Sequence, residues 1–163
     1  MKLGILSDSH DHLANLITVR EHLKEAGVEA AIHCGDFCAP FVLEELHELG
    51  VPVHGVFGNV DGDPFRMERQ ARERYTNVHL HGELAELELG GRRIAVTHYP
   101  TIADALARSH KYDVVCYGHT HEAESRREGS CLVVNPGEVM GRRGDPTYAL
   151  LDTDALEVEL HAV

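Results

Sequence analysis

Four times in its first hundred residues the chain runs a short apolar segment into a polar residue and then changes to helical spacing. KLGILSD leads into Leu13, Leu16, Ile17, Leu23 and Ala26, closed by Gly27. AAIHCGD leads into a segment that Pro40 opens, that carries Val42, Leu43, Leu46 and Leu49, and that ends at Gly50. PVHGVFGN precedes Asp63 and Pro64, an N-cap followed by a proline at the first helical position. RRIAVTHY forms a hairpin with ELAELEL across Gly90-Gly91. After it, Thr101 and Asp104 have the spacing of a capping box for a short helix through Arg108. Short strands that alternate with amphipathic helices build a sheet with parallel neighbours and helices on its faces. DVVCYG, CLVVNPG, YALLD and LEVEL then add strands without helices between them. No repeat, low-complexity segment or linker divides the 163 residues. The expectation is one α/β domain over residues 1–163, part parallel and part antiparallel.

The polar residues fall where such a fold collects its ligands. Asp8 and His10 follow the first strand, Asp36 the second and Asn59 the third. His98 ends the second hairpin strand, and His119 and His121 follow VVCYG. Strand C-termini in open α/β sheets border the crevice where ligands bind. Carboxylate, amide and imidazole donors without sulfur suit divalent manganese, iron, nickel, cobalt or zinc. Seven donors exceed what one ion takes, so two ions sharing a carboxylate is the economical arrangement, with Asp36 as the natural bridge. Each residue alone has an ordinary explanation. Asp8 or Asp11 suits a helix N-terminus, Asn59 suits a turn, and a single histidine is more often packed or solvated. Seven coinciding in order at one sheet edge point to a metal centre.

Composition limits the partners. A formal charge of −12 with a pI near 5.4 argues against general affinity for nucleic acid or anionic membrane. There is no apolar run of membrane-spanning length, and MKLGILSDSH lacks the regions of a signal peptide. Cys34, Cys38, Cys116 and Cys131 form no CxxC pair and read as reduced, packed thiols. A cytoplasmic protein is expected.

DSHDH at 8–12, GDF at 35–37, GNVD at 58–61, TH at 97–98 and GHTH at 118–121 resemble the five blocks of the calcineurin-like metallophosphoesterases. With NPGE at 135–138, the chain is similar to the small stand-alone prokaryotic members over nearly its whole length. The resemblance implies a four-layer α-β-β-α sandwich of two mixed β-sheets flanked by helices. It implies that Asp8, His10, Asp36 and His121 hold one divalent ion and that Asp36, Asn59, His98 and His119 hold a second. Asp36 and Asn59 then also serve catalysis. The two histidines of GHTH would serve different ions, so the backbone must turn between them. Manganese is placed first, with nickel, iron, cobalt or zinc as alternatives. The implied activity is a metal-dependent phosphoesterase, in particular a phosphodiesterase that uses a hydroxide activated by two metals on a small phosphate ester. The alternative is a metal-binding scaffold or interaction module on the same fold, as in the eukaryotic retromer subunit.

One position departs from the family pattern. GNVD stands where the family has GNHD, so Val60 replaces the histidine thought to protonate the leaving oxygen. General acid catalysis contributes about 10² to 10⁴ in rate, so alkyl esters should turn over weakly and aryl esters should suffer less. Asp61 then reads as a turn or supporting residue, and His12 and His54 are the other candidate proton donors. Arg142 and Arg143, after the NPGE turn, are either substrate contacts or solvated surface. The other histidines, among them His22, His33, His47, His79 and His81, read as structural or surface residues. A homodimer is the base-rate expectation.

Overall fold

The computed structural model describes residues 1–163 and contains two mixed sheets with a shared apolar interface. In the first sheet β1 (Lys2–Leu6), β2 (Ala30–His33), β3 (Val53–Gly55) and β4 (Val78–Leu80) run parallel. Two antiparallel strands, β10 (Thr147–Asp152) and β11 (Glu157–Ala162), extend it beyond β1 in the order β11-β10-β1-β2-β3-β4. The second sheet comprises β5 (Leu84–Leu89), β6 (Arg92–Thr97), β7 (Val114–Cys116), β8 (Glu124–Glu128) and β9 (Cys131–Asn135), in the order β5-β6-β7-β9-β8.

Three apolar layers hold four structural layers together. Leu3, Ile5, Ile32 and Val56 of the first sheet meet Ile94, Val96, Val114 and Val134 of the second. The alternate residues Leu6, Ala31, Val53 and Val78 face outward beneath α1 (Leu13–Ala26), α2 (Val42–His47) and α3 (Pro64–Glu73). On the far side Ala95, Val115 and Val133 pack against Ala103 and Ala107 of α4 (Pro100–Arg108). Strands covered on both faces are apolar throughout, which is why the runs read as continuous rather than alternating. Gly4 lets α1 lie close over β1, since a Cβ there would lie 2.7 Å from the end of the Leu23 side chain and displace it.

Local signals decide where elements start. Asp63 caps α3 by accepting from the Arg66 N–H at 3.0 Å, with Pro64 following. Gly27 ends α1 in the left-handed region, and Gly90 and Gly91 turn the β5–β6 hairpin at positive φ. Three sequence expectations are corrected. Thr101 and Asp104 do not form a capping box: Pro100 starts α4 after an extended Tyr99, whose carbonyl accepts from Ile102 and Ala103. Proline's fixed φ sets the start two residues earlier than the box implies. Pro40 precedes α2 rather than opening it, since Val42 and Leu43 make short i→i−3 bonds to Ala39 and Pro40. Asp11 does not cap α1. Its carboxylate accepts from Ala39 N–H at 2.8 Å, and His12 caps the helix through Nδ1. Strands β4 and β8 are additions to the elements that the sequence pattern marks.

Candidate metal centre

All seven donors converge at the C-terminal edges of β1, β2, β3, β6 and β7, on loops laced to one another. Asp8 N–H donates to the Gly35 carbonyl and His10 N–H to that of Asp36, both at 3.0 Å. The His119 N–H donates to Asp8 Oδ2 at 3.1 Å. Asp8, His10, Asp36, His119 and His121 all have φ between 42° and 72°. Left-handed backbone at non-glycine residues costs on the order of 1–3 kcal/mol each and persists only where surroundings enforce it. The GHTH segment is therefore bent rather than extended, and its histidines point apart.

The turned loops aim a compact donor set. Asp8 Oδ1 lies 3.2 Å from His121 Nε2 and 3.6 Å from His10 Nε2. Asp36 Oδ2 lies 3.5 Å from His10 Nε2 and 3.4 Å from His98 Nε2. Asn59 Oδ1 lies 3.1 Å from His98 Nε2 and 2.8 Å from His119 Nδ1, and those two ring nitrogens are 3.3 Å apart. Asp36 thus touches donors on both sides. Asp8, Asp36 and His98 are buried, whereas Asn59 and His119 open to solvent.

The electrostatics fit divalent cations. Burial disfavours ionised Asp8 and Asp36, yet the adjacent His10 imidazole and the Ser7 hydroxyl at Asp8, and the adjacent His98 imidazole and the Val60 N–H at Asp36, hold both below the ordinary carboxylate range. The neighbouring Asp8 carboxylate raises His10. Burial opposes the His98 imidazolium, but the Asp36 carboxylate beside it outweighs this, so His98 is also raised. Asp8 Oδ1 and His10 Nε2 are buried without a hydrogen-bond partner and face into the cluster. Buried carboxylates and an orphaned imidazole nitrogen converging on one point are satisfied by a cation. Two groups, Asp8 with His10 and His121, and Asp8 with Asp36 and His98, hold their ligand atoms within 4.8 Å of one another.

A second layer orients these donors. His98 Nδ1 lies 2.8 Å from the Cys34 carbonyl, which can only accept, so Nε2 is left for the cluster. His10 Nδ1 is 3.5 Å from Cys38 Sγ. Asp61 accepts from the N–H groups of Gly58, Cys38 and Asp36, tying the third-strand loop to the second. Sequence reasoning missed Glu138. Buried at 1 % exposure, it hydrogen-bonds His121 Nδ1 and accepts from the Arg143 and Gly144 N–H groups. Its place in NPGE was the available signal. Replacing it, as Glu138→Gln, should weaken metal binding by about 10- to 100-fold, the usual effect of removing a ligand's outer partner. Calorimetric metal titration measures this directly. Of the other expectations, Arg142 and Arg143 are exposed, His12 is engaged as a cap, and His54 lies among other histidines.

A two-sheet α/β sandwich with buried carboxylates and imidazoles gathered at its strand ends defines a candidate metal-binding class of α/β protein. The chain belongs to the calcineurin-like phosphoesterase superfamily, whose domain profile matches residues 1–156. It is 35 % identical over 160 residues to the phosphodiesterase MJ0936 of Methanocaldococcus jannaschii, with 96 % of each chain covered. It is 27 % identical to the phosphodiesterase YfcE of Escherichia coli, covering 97 % of this chain and 91 % of that one. The solved structure of an archaeal phosphodiesterase superposes with a TM-score of 0.94 at 34 % identity, covering both chains fully. The protein is therefore a metal-dependent phosphoesterase of this family, and the two-sheet fold expected from sequence is the fold observed. No helix is long and apolar enough to cross a membrane.

Proposed function

We propose that the chain is a phosphodiesterase with two divalent cations in this centre. Asp8, His10, Asp36 and His121 would hold one, and Asp36, Asn59, His98 and His119 the other, with manganese first and nickel, iron, cobalt or zinc as alternatives. The observation that carries this reading is the buried Asp36 carboxylate, whose Oδ2 faces His10 on one side and His98 on the other. When bound, such a pair supplies Lewis acidity toward phosphoryl oxygens and makes water an available nucleophile near neutral pH.

The protein's own groups do the rest. Asp36 fixes the shared position and Asp8 the inner wall. Asn59 Oδ1 is directed at two imidazoles, so its NH₂ is the half able to donate to a phosphoryl oxygen. Val60 offers no proton to the leaving oxygen. Preference for diesters is supported by the relatives named phosphodiesterases. A cytoplasmic setting is supported by four free cysteines.

The test is hydrolysis of an aryl phosphodiester and the matching monoester by metal-stripped protein, with Mn, Ni, Co, Zn and Mg restored singly. Metal-dependent turnover with the diester preferred is expected. Metal uptake without turnover of either ester would replace this reading with the scaffold one. Acid should also inactivate. His10 and His98 have pKa values raised above the ordinary imidazole, so protons compete with metal from a higher pH than usual, and metal and activity should fall together as pH drops through about 7 toward 6.

A further inference from the structure

Three more histidines gather away from these donors. His54 on β3 is in register with His79 on β4, and His81 follows His79 by two residues, on the same face. The His54 ring lies between the others, 5.2 Å from that of His79 and 5.3 Å from that of His81, each at 29°. His54 Nδ1 and His81 Nε2 face each other at 3.0 Å. We propose that His54, His79 and His81 form a separate site for one borderline divalent transition-metal cation, with zinc preferred.

The geometry carries the argument. Two nitrogens each about 2.0–2.1 Å from a tetrahedral ion are about 3.3 Å apart, close to the observed separation. His79 on β4, His81 one residue past the strand with its N–H on the Gly55 carbonyl at 3.0 Å, and His54 across the pair bring three imidazoles to one edge, leaving a fourth position for water. His54 and His81 already face one another. His79 is exposed beside them, its ring 5.2 Å from that of His54, and it is the third ligand of the proposed site.

The protonation state is favourable. Burial, reinforced by the charges of His81 and His79, holds His54 down to about 4. Burial first, then His79, lowers His81. At neutral pH neither ring gives up a proton to bind metal. An all-imidazole set also selects differently from the strand-end centre, whose carboxylates suit harder ions such as manganese.

The test is calorimetric zinc titration of the full chain in four forms: wild type, His54→Gln/His81→Gln, Asp36→Asn, and the three substitutions combined. The histidine pair of substitutions should remove about one zinc ion per chain from both backgrounds. Equal uptake within either comparison overturns the proposal. Uptake lost only on Asp36→Asn reports on the strand-end centre, so the two readings fail separately. Imidazole ¹⁵N shifts of the wild-type chain give an answer independent of substitution. Zinc in excess over the strand-end centre should move the His54 and His81 ring nitrogens, and rings that stay unmoved also overturn the site.

Discussion

Asp36→Asn should lower turnover about 10³-fold in metal-reconstituted protein, equivalent to about 4 kcal/mol of lost transition-state stabilisation. The substitution keeps side-chain size while replacing Oδ2, the oxygen facing His10 and His98, or cancelling its charge. Asp36 is 2 % exposed, so no water substitutes for the lost anion. Inductively coupled plasma analysis should show less metal than the wild type retains. Wild-type turnover in the variant would remove Asp36 from the centre.

The same substitution should have opposite effects on metal-free stability at the two ends of the pH range. His10 and His98 are raised above their unfolded value, so their pairing with Asp8 and Asp36 stabilises the metal-free fold fully below about 6.5. That contribution is lost as pH rises through the raised values. Above them, a buried Asp36 anion faces neutral rings, and the amide of the Asp36→Asn variant carries no such uncompensated charge. The metal-free variant should therefore melt below wild type near pH ~5.5 and at or above it near pH ~8.5. With saturating metal, wild type should be the more stable at the alkaline end, because ligand binding to the native state adds stability.

What was legible in the sequence follows from where chemistry meets secondary structure. Asp8, Asp36 and His98 stand within three residues of the ends of apolar strands, so a polar residue at a strand end carried both strand boundary and site. Glu138 was marked only by its place in NPGE, since the folded loop alone brings it to His121 and closes it from solvent. The left-handed backbone of Asp8, His10, Asp36, His119 and His121 depends on bonds between loops distant in sequence, which no local pattern encodes. Strand β8 reads ESRRE because an edge strand needs only its backbone pairing to β9. Arg126 then links it to Glu124, Glu128 and Asp104. The Thr101–Asp104 spacing was misleading because Pro100 had already set the helix start.

Val60→His should raise turnover of an alkyl phosphodiester by about 10²-fold, at the lower end of general acid catalysis, while changing an aryl diester little. Val60 is 43 % exposed, and its N–H donates to Asp36 Oδ1 at 3.1 Å, so an imidazole there stands at the rim of the centre without displacing core. An alkoxide leaves as a strong base and gains from a proton in the transition state, whereas an aryloxide departs without one. The substitution should also change the pH profile. A new acid must be protonated, so alkyl ester turnover should acquire a falling limb above its pKa, and the rise already set by metal binding then becomes a bell. Asp61 limits the size of the gain. Its carboxylate is committed to the N–H groups of Gly58, Cys38 and Asp36, so it is poorly placed to orient the imidazole as well. Equal gains for both esters would mean that residue 60 acts through metal affinity or substrate binding. No gain for either would mean that the leaving oxygen departs away from the 58–61 loop, and the missing acid would have to be sought on the GHTH side of the centre.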